Sequence, residues 1–148
     1  MKERIVWYIR TLKPHIVVTM DPTFFYIEDP YGLGTSFINH TDHRAMATAT
    51  MDAVFPLARD RLTFPEHEKT GLEPHKVEEL YFSQMHKKGT MVDVTSTFEK
   101  KLEAIAAHKS QFDDFPAIKE RMTKRAIRFA KDEEFEFAES FVLLVLPK

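Results

Sequence analysis

A chain of 148 residues, 43% hydrophobic and 30% charged, matches one globular domain and leaves no room for two full ones. That apolar content excludes intrinsic disorder, and a formal net charge of −2, from 21 Lys and Arg against 23 Asp and Glu, removes any bulk electrostatic case for nucleic-acid or anionic-membrane binding. Without cysteine there are no disulfides, zinc-thiolate sites or cysteine nucleophiles, so a bound metal must be held by His and carboxylate, and the composition is compatible with a cytoplasmic location.

Ile5, Ile9 and Leu12, with Val6 beside them, recur at helical spacing, and Pro14 cannot continue the pattern, which predicts a first helix ending near Leu12. Ile16-Val17-Val18-Thr19-Met20 then reads as a strand buried on both faces, as in a parallel sheet. From Asp21 to Asn39 the chain carries Pro22, Pro30, Gly32 and Gly34 without a period. Read as a long loop leaving the C-terminal end of a parallel strand, it occupies the position where open α/β sheets bind ligands and is expected to be mobile and to line a substrate entrance. Thr41 or Asp42 is the expected cap of the next helix, with Met46, Ala49, Ala53, Val54 and Leu57 facing inward. Val77 to Phe82 and Met91 to Val94 are the next strand candidates. Ser96-Thr97-Phe98-Glu99 has capping-box spacing for a helix running to about Ser110. Asp114, followed by Pro116, caps a further helix with Ile118, Met122 and Ile127 on one stripe, ahead of an extended tail from Phe135 to Leu146. Helices interleaved with short apolar strands predict one α/β layered domain over residues 1–148. The longest apolar run, Phe141 to Leu146, falls far short of the ~20 residues that a membrane span needs, and Met1-Lys2-Glu3-Arg4 does not open a secretory signal.

The residues with most chemistry in their spacing are His40-Thr41-Asp42-His43. Two imidazoles three positions apart at a helix start point the same way, as metal ligation or paired acid and base work requires, and Asp42 between them can orient an imidazole or raise its basicity. The plainer reading is a pair of surface or capping histidines. Asp21 before Pro22 is equally a turn residue or a site carboxylate, and Glu28 and Asp29 read as loop solvation. His15, His67, His75, His86 and His108 have no paired ligand spacing and default to solvated surface, and Lys124-Arg125 with Arg128 reads as the wet face of a helix.

His40-Thr41-Asp42-His43-Arg44-Ala45 resembles the H-P-D-H-x-A motif of the LmbE-like (PIG-L type) metal-dependent de-N-acetylases. Asp52 to Asp60, Gly71 to Val77, Lys100 to Ala104, His108 to Gln111 and Phe137 to Phe141 resemble further stretches of that family in the same order. The resemblance implies a Rossmann-like fold with a mainly parallel sheet, zinc or another divalent metal, and removal of an N-acetyl group from an N-acetylglucosamine-type sugar conjugate. Matched by position, His43 is implied to ligate the metal, His40 to stabilise or protonate the tetrahedral intermediate, and Asp42 to orient its neighbour. Thr41 replaces the usual Pro, and Ile38 stands where some members place a carbonyl-assisting Tyr. The family's opening H-P-D-D motif, source of two metal ligands and a general base, has no counterpart in the sequence, and Asp113-Asp114 lacks the preceding His-Pro. The expectation is therefore the C-terminal portion of such an enzyme without its first strands, weak in metal binding and inactive by itself, with a homo-oligomer or a missing N-terminal segment as its protein partner. The rival expectations are a non-catalytic sugar-binding or partner-completing remnant of the same fold, and a metal-free α/β module in which the histidines merely cap a helix.

Overall fold

The structure, a computed structural model, describes residues 1–28, 36–84 and 89–147. They fall into two compact units, residues 1–86 with 142–148, and residues 87–141.

The first unit opens with helix α1, Lys2–Leu12, which buries Val6, Ile9 and Arg10 and ends at Lys13 in the left-handed conformation just before Pro14, as its period and breaker predict. Strand β1, Ile16–Met20, pairs in parallel with β4, Glu79–Gln84, in register from Ile16 opposite Glu79 to Met20 opposite Ser83. Contrary to a strand buried on both faces, β1 alternates, with Ile16, Val18 and Met20 exposed. Helix α2, Thr41–Asp52, runs into an irregular turn, Ala53–Leu57, where Phe55 is extended and the Phe55–Pro56 peptide is cis. A single helical turn, α3, spans Glu66–Lys69. The core joins Val6 and Ile9 of α1 to Ala53, Val54 and Ala58, and to Val77, Leu80 and Phe82 around β4. Of the residues expected to face inward, Ala49, Ala53 and Val54 are buried, whereas Met46 is exposed and Ala47 is buried beside it.

Through this core runs one cation. Arg10, 1% exposed, donates from its guanidinium to the carbonyls of Leu57, Ala58, Asp60, Thr63 and Phe64 at 2.8 to 3.3 Å. Burial pulls its pKa down, and Glu68, Asp60 and Glu66 oppose that shift. The irregular chain after α2 therefore has acceptors satisfied from α1 rather than by a helix or a strand.

The second unit contains β5, Thr90–Asp93, antiparallel to the first residues of β6, Ala138–Val145, with Thr90 opposite Phe141 and Asp93 opposite Ala138. Helix α4, Phe98–Ala106, follows a tight turn at Thr95–Thr97 and ends short of the expected Ser110; its N-cap is Thr97 rather than Ser96 and makes no side-chain cap bond. Helix α5, Phe115–Ala130, starts as expected, with the Asp114 carboxylate accepting from the Ala117 amide at 3.0 Å. Its packed stripe is Met122, Ala126, Phe129 and Ala130, while Ile127 is exposed. Phe98, Leu102 and Ala126 form one cluster, with Phe98 stacked on Phe137 at 4.3 Å, and Phe129, Ala130 and Ala138 form another. Gly89 passes so close to the partner strand that a Cβ would lie 2.3 Å from the Phe141 carbonyl oxygen.

The architecture is thus mixed α/β and built on a parallel pair, as the alternation of helices and short apolar strands predicts. Among the described residues no helix is long and apolar enough to cross a membrane.

Candidate functional site

The segment expected as an unstructured loop, 21–39, carries a two-stranded antiparallel ribbon, β2, Tyr26–Ile27, against β3, Phe37–Ile38; its residues 29–35, Asp29 among them, lie outside the described ones, as does His86. Its first turn is set by Asp21, whose Oδ1 accepts from the amide and hydroxyl of Thr23 at 2.8 and 2.6 Å, so Asp21 serves as a turn residue. The ribbon delivers the chain to α2 through Asn39, which is 3% exposed. The Asn39 amide donates to the Phe25 carbonyl at 2.8 Å and its Nδ2 to the Phe24 carbonyl at 2.9 Å. Arg44 reinforces the junction from within α2, donating to the Asn39 carbonyl at 3.0 Å while its guanidinium lies over the Phe25 ring.

His40, rather than Thr41 or Asp42, is the N-cap of α2; its Nδ1 accepts from the Asp42 amide at 3.2 Å. The Asp42 carboxylate lies 3.6 Å from the same Nδ1, beyond hydrogen-bond reach, and is 87% exposed. The rings of His40 and His43 come together, centroids 5.7 Å apart. His43 Nδ1 sits 3.2 Å from Asn39 Oδ1.

These contacts impose opposite tautomers. Because Asn39 spends its Nδ2 on the Phe24 carbonyl, the atom it turns to His43 is an acceptor; His43 Nδ1 must donate to it, which leaves the lone pair on Nε2. His40 Nδ1 is itself an acceptor, so in the neutral ring the proton resides on Nε2. One imidazole thus offers a lone pair suited to a cation, and its neighbour an N–H suited to a carbonyl or developing oxyanion, beside the positive end of a helix. Asn39, which holds His43, was not singled out by the sequence reading; its signal was an amide side chain one position ahead of the capping residue.

Among the described residues, those near His43 supply no complete ligand set. Among the described residues, the group of three donors able to hold a cation is Glu3, Glu66 and His67, on α1 and α3, none of them predicted as a site. His67, expected on solvated surface, is 6% exposed. His75 Nε2 donates to the Pro14 carbonyl at 2.8 Å, and His15 Nδ1 to the Glu78 carboxylate at 2.9 Å.

No family model matches the chain. Over 118 residues, 77% of the chain, it is 30% identical to a diacetylchitobiose deacetylase of Thermococcus kodakarensis. The chain is homologous to that deacetylase. It spans 38% of the relative's length. Its fold is similar to the N,N'-diacetylchitobiose deacetylase of Pyrococcus horikoshii solved with the inhibitor MPG, with a TM-score of 0.77 at 22% identity over 97% of this chain and 51% of that one. It is likewise similar to the conserved protein TT1542 of Thermus thermophilus, with a TM-score of 0.72 at 22% identity over 99% of this chain and 59% of that one. The mixed α/β fold is therefore the one found in the deacetylase structure.

Proposed function

We propose that the chain contributes part of a metal-dependent N-deacetylase site that removes an N-acetyl group from an N-acetylglucosamine-type conjugate, a small-molecule substrate, in the cytoplasm. The observation that carries this reading is the pair of opposed tautomers at the start of α2. His43, held by Asn39, presents Nε2 as a ligand for zinc or a similar divalent ion. His40 presents its Nε2–H to the amide carbonyl as a hydrogen-bond donor while the carbonyl oxygen gains charge. Asp42 orients that ring through its backbone amide, which donates to His40 Nδ1 at 3.2 Å. A divalent ion, when bound, lowers the pKa of water and polarises the amide. His43 suits such an ion as one ligand, but a catalytic zinc takes about three protein ligands, and the described residues around His43 do not furnish the other two. On this reading the remaining ligands and the general base are supplied by a segment carrying an H-P-D-D sequence, which these 148 residues lack.

A complementing partner is favoured by one further observation. Among the described residues β1 pairs with β4 alone, and its Ile16, Val18 and Met20 stand exposed: a strand edge that a further strand would pair with, and an apolar face that a layer packed on the sheet would cover. The test is to purify the chain alone and the chain joined to an H-P-D-D segment, and to measure zinc content and acetate release from N-acetylglucosamine conjugates. Turnover is expected only in the joined form and is expected to disappear in His43→Ala. Turnover by the 148 residues alone, or turnover indifferent to His43, would overturn the reading.

A further inference from the structure

We infer that Glu3, Glu66 and His67 form a second cation site, separate from the His40–His43 pair, which takes a zinc-class divalent ion. One ligand atom from each residue lies within 4.8 Å of the other two, and His67 Nε2 is 3.8 Å from Glu3 Oε1. Ligands on a tetrahedral zinc with bonds of ~2.1 Å stand about 3.4 Å apart, so the cluster needs only a small inward movement of two exposed, flexible glutamates.

The ring of His67 is the independent mark of a ligand. It is 6% exposed, yet neither ring nitrogen makes a hydrogen bond among the described residues: Nδ1 is buried without a partner, and Nε2 faces Glu3 from beyond hydrogen-bond range. A buried imidazole left this way forfeits its solvation without return, which a bond to a cation at Nε2 repays in part. Neither Glu3 nor Glu66 forms an ion pair with Lys or Arg among the described residues, although Arg10 attracts Glu66 electrostatically and Arg4 lines the same cleft with Trp7 and Tyr8. The imidazole is aimed by packing rather than by polar contacts. It stacks on Phe64 at 5.5 Å, and the Phe64 carbonyl is fixed by Arg10.

The donor set selects the ion. One nitrogen and two carboxylates suit zinc or cobalt, whereas magnesium and calcium prefer oxygen alone. Three protein ligands leave a fourth position open, and the ion would join α1 to α3 across the chain. The site needs nothing from the deacetylase reading.

Zinc titration calorimetry on the full chain carrying His43→Ala, which silences the other imidazole site, is the test. One equivalent of zinc is expected to bind, with affinity lowered at least tenfold by Glu3→Gln and by Glu66→Gln, both of which change exposed side chains and leave folding intact, and lost in His67→Ala. Cobalt substitution should give visible absorption bands of a low-coordinate site that vanish in the same variants. Absence of binding at ~1 mM zinc, or binding unchanged in the Glu3→Gln, Glu66→Gln double variant, would overturn the proposal. If His67→Ala fails to fold, the two glutamine variants decide the question.

Discussion

In the first unit a buried guanidinium on α1 reaches five carbonyls some fifty residues away, and an equally buried amide, Asn39, ties the chain beyond β1 to the start of α2. In the second unit the interior is almost wholly apolar, Phe98 on Phe137 and Phe129 against Ala138, and polar links lie nearer the surface: Asp114 capping α5, Thr95 accepting from the Glu136 and Phe137 amides, and Lys101 paired with Glu139. Arg10, Asn39, Thr50 and His67 are buried in the first unit, against Ser140 in the second. Apolar packing tolerates exchange of one hydrophobic group for another of similar volume, whereas buried polar groups require particular partners in particular directions. Both candidate clusters of metal-binding residues occur in the unit organised in that second way, where the backbone and rings are directionally fixed.

The comparison breaks most readily at Arg10. Arg10→Ala leaves several interior carbonyls without donors and is expected to cost about 4 kcal/mol, enough to prevent folding of a marginal domain. Urea denaturation measures it, and recovery of most of the loss by Arg10→Lys would show that charge matters more than the planar, forked geometry. Next comes Asn39→Ala. Removing its two side-chain bonds is expected to cost about 2 kcal/mol, and in a form complemented with the H-P-D-D segment to weaken metal binding roughly 10- to 100-fold by freeing the His43 ring. A variant that lost stability but kept full metal affinity would show that Asn39 serves the fold alone. In the second unit, Asp114→Ala removes one cap from a helix of sixteen residues and is expected to cost about 1 kcal/mol, with Asp114→Asn nearly neutral. A cost near that of Arg10→Ala would erase the contrast between the two units.

What could be read from residue order follows the range of the interactions. α1 and its stop at Pro14, β1, and the Asp114 cap are decided by neighbours within a few positions, and all three stand where expected. The pairing of β2 with β3 escaped detection because two-residue strands leave no period to find. His40 and His43 were legible as a pair from their spacing, but their tautomers were not, because these depend on an amide whose own orientation is set by the Phe24 carbonyl fifteen residues earlier. His67 read as surface because its sequence neighbours are polar; what buries it is α1, more than fifty positions upstream. Likewise the exposed face of β1 is invisible in a run of β-branched residues, since composition records what a strand can bury and not what lies against it.

Arg10 carries a consequence for how this fold can vary. The guanidinium reads the carbonyl oxygens of residues 57–64, while side chains of the segment hold it as well: the Asp60 carboxylate accepts from the Leu62 amide and the Thr63 hydroxyl at 3.0 Å, and Ala58 is buried in the core. Arg10 stands in for a droplet of solvent fixed inside the protein, so at outward-facing positions such as Leu62, 87% exposed, the segment can change sequence while its backbone path is kept. A single residue on the first helix thus helps make an irregular turn heritable as a shape while leaving its outward-facing letters open to drift.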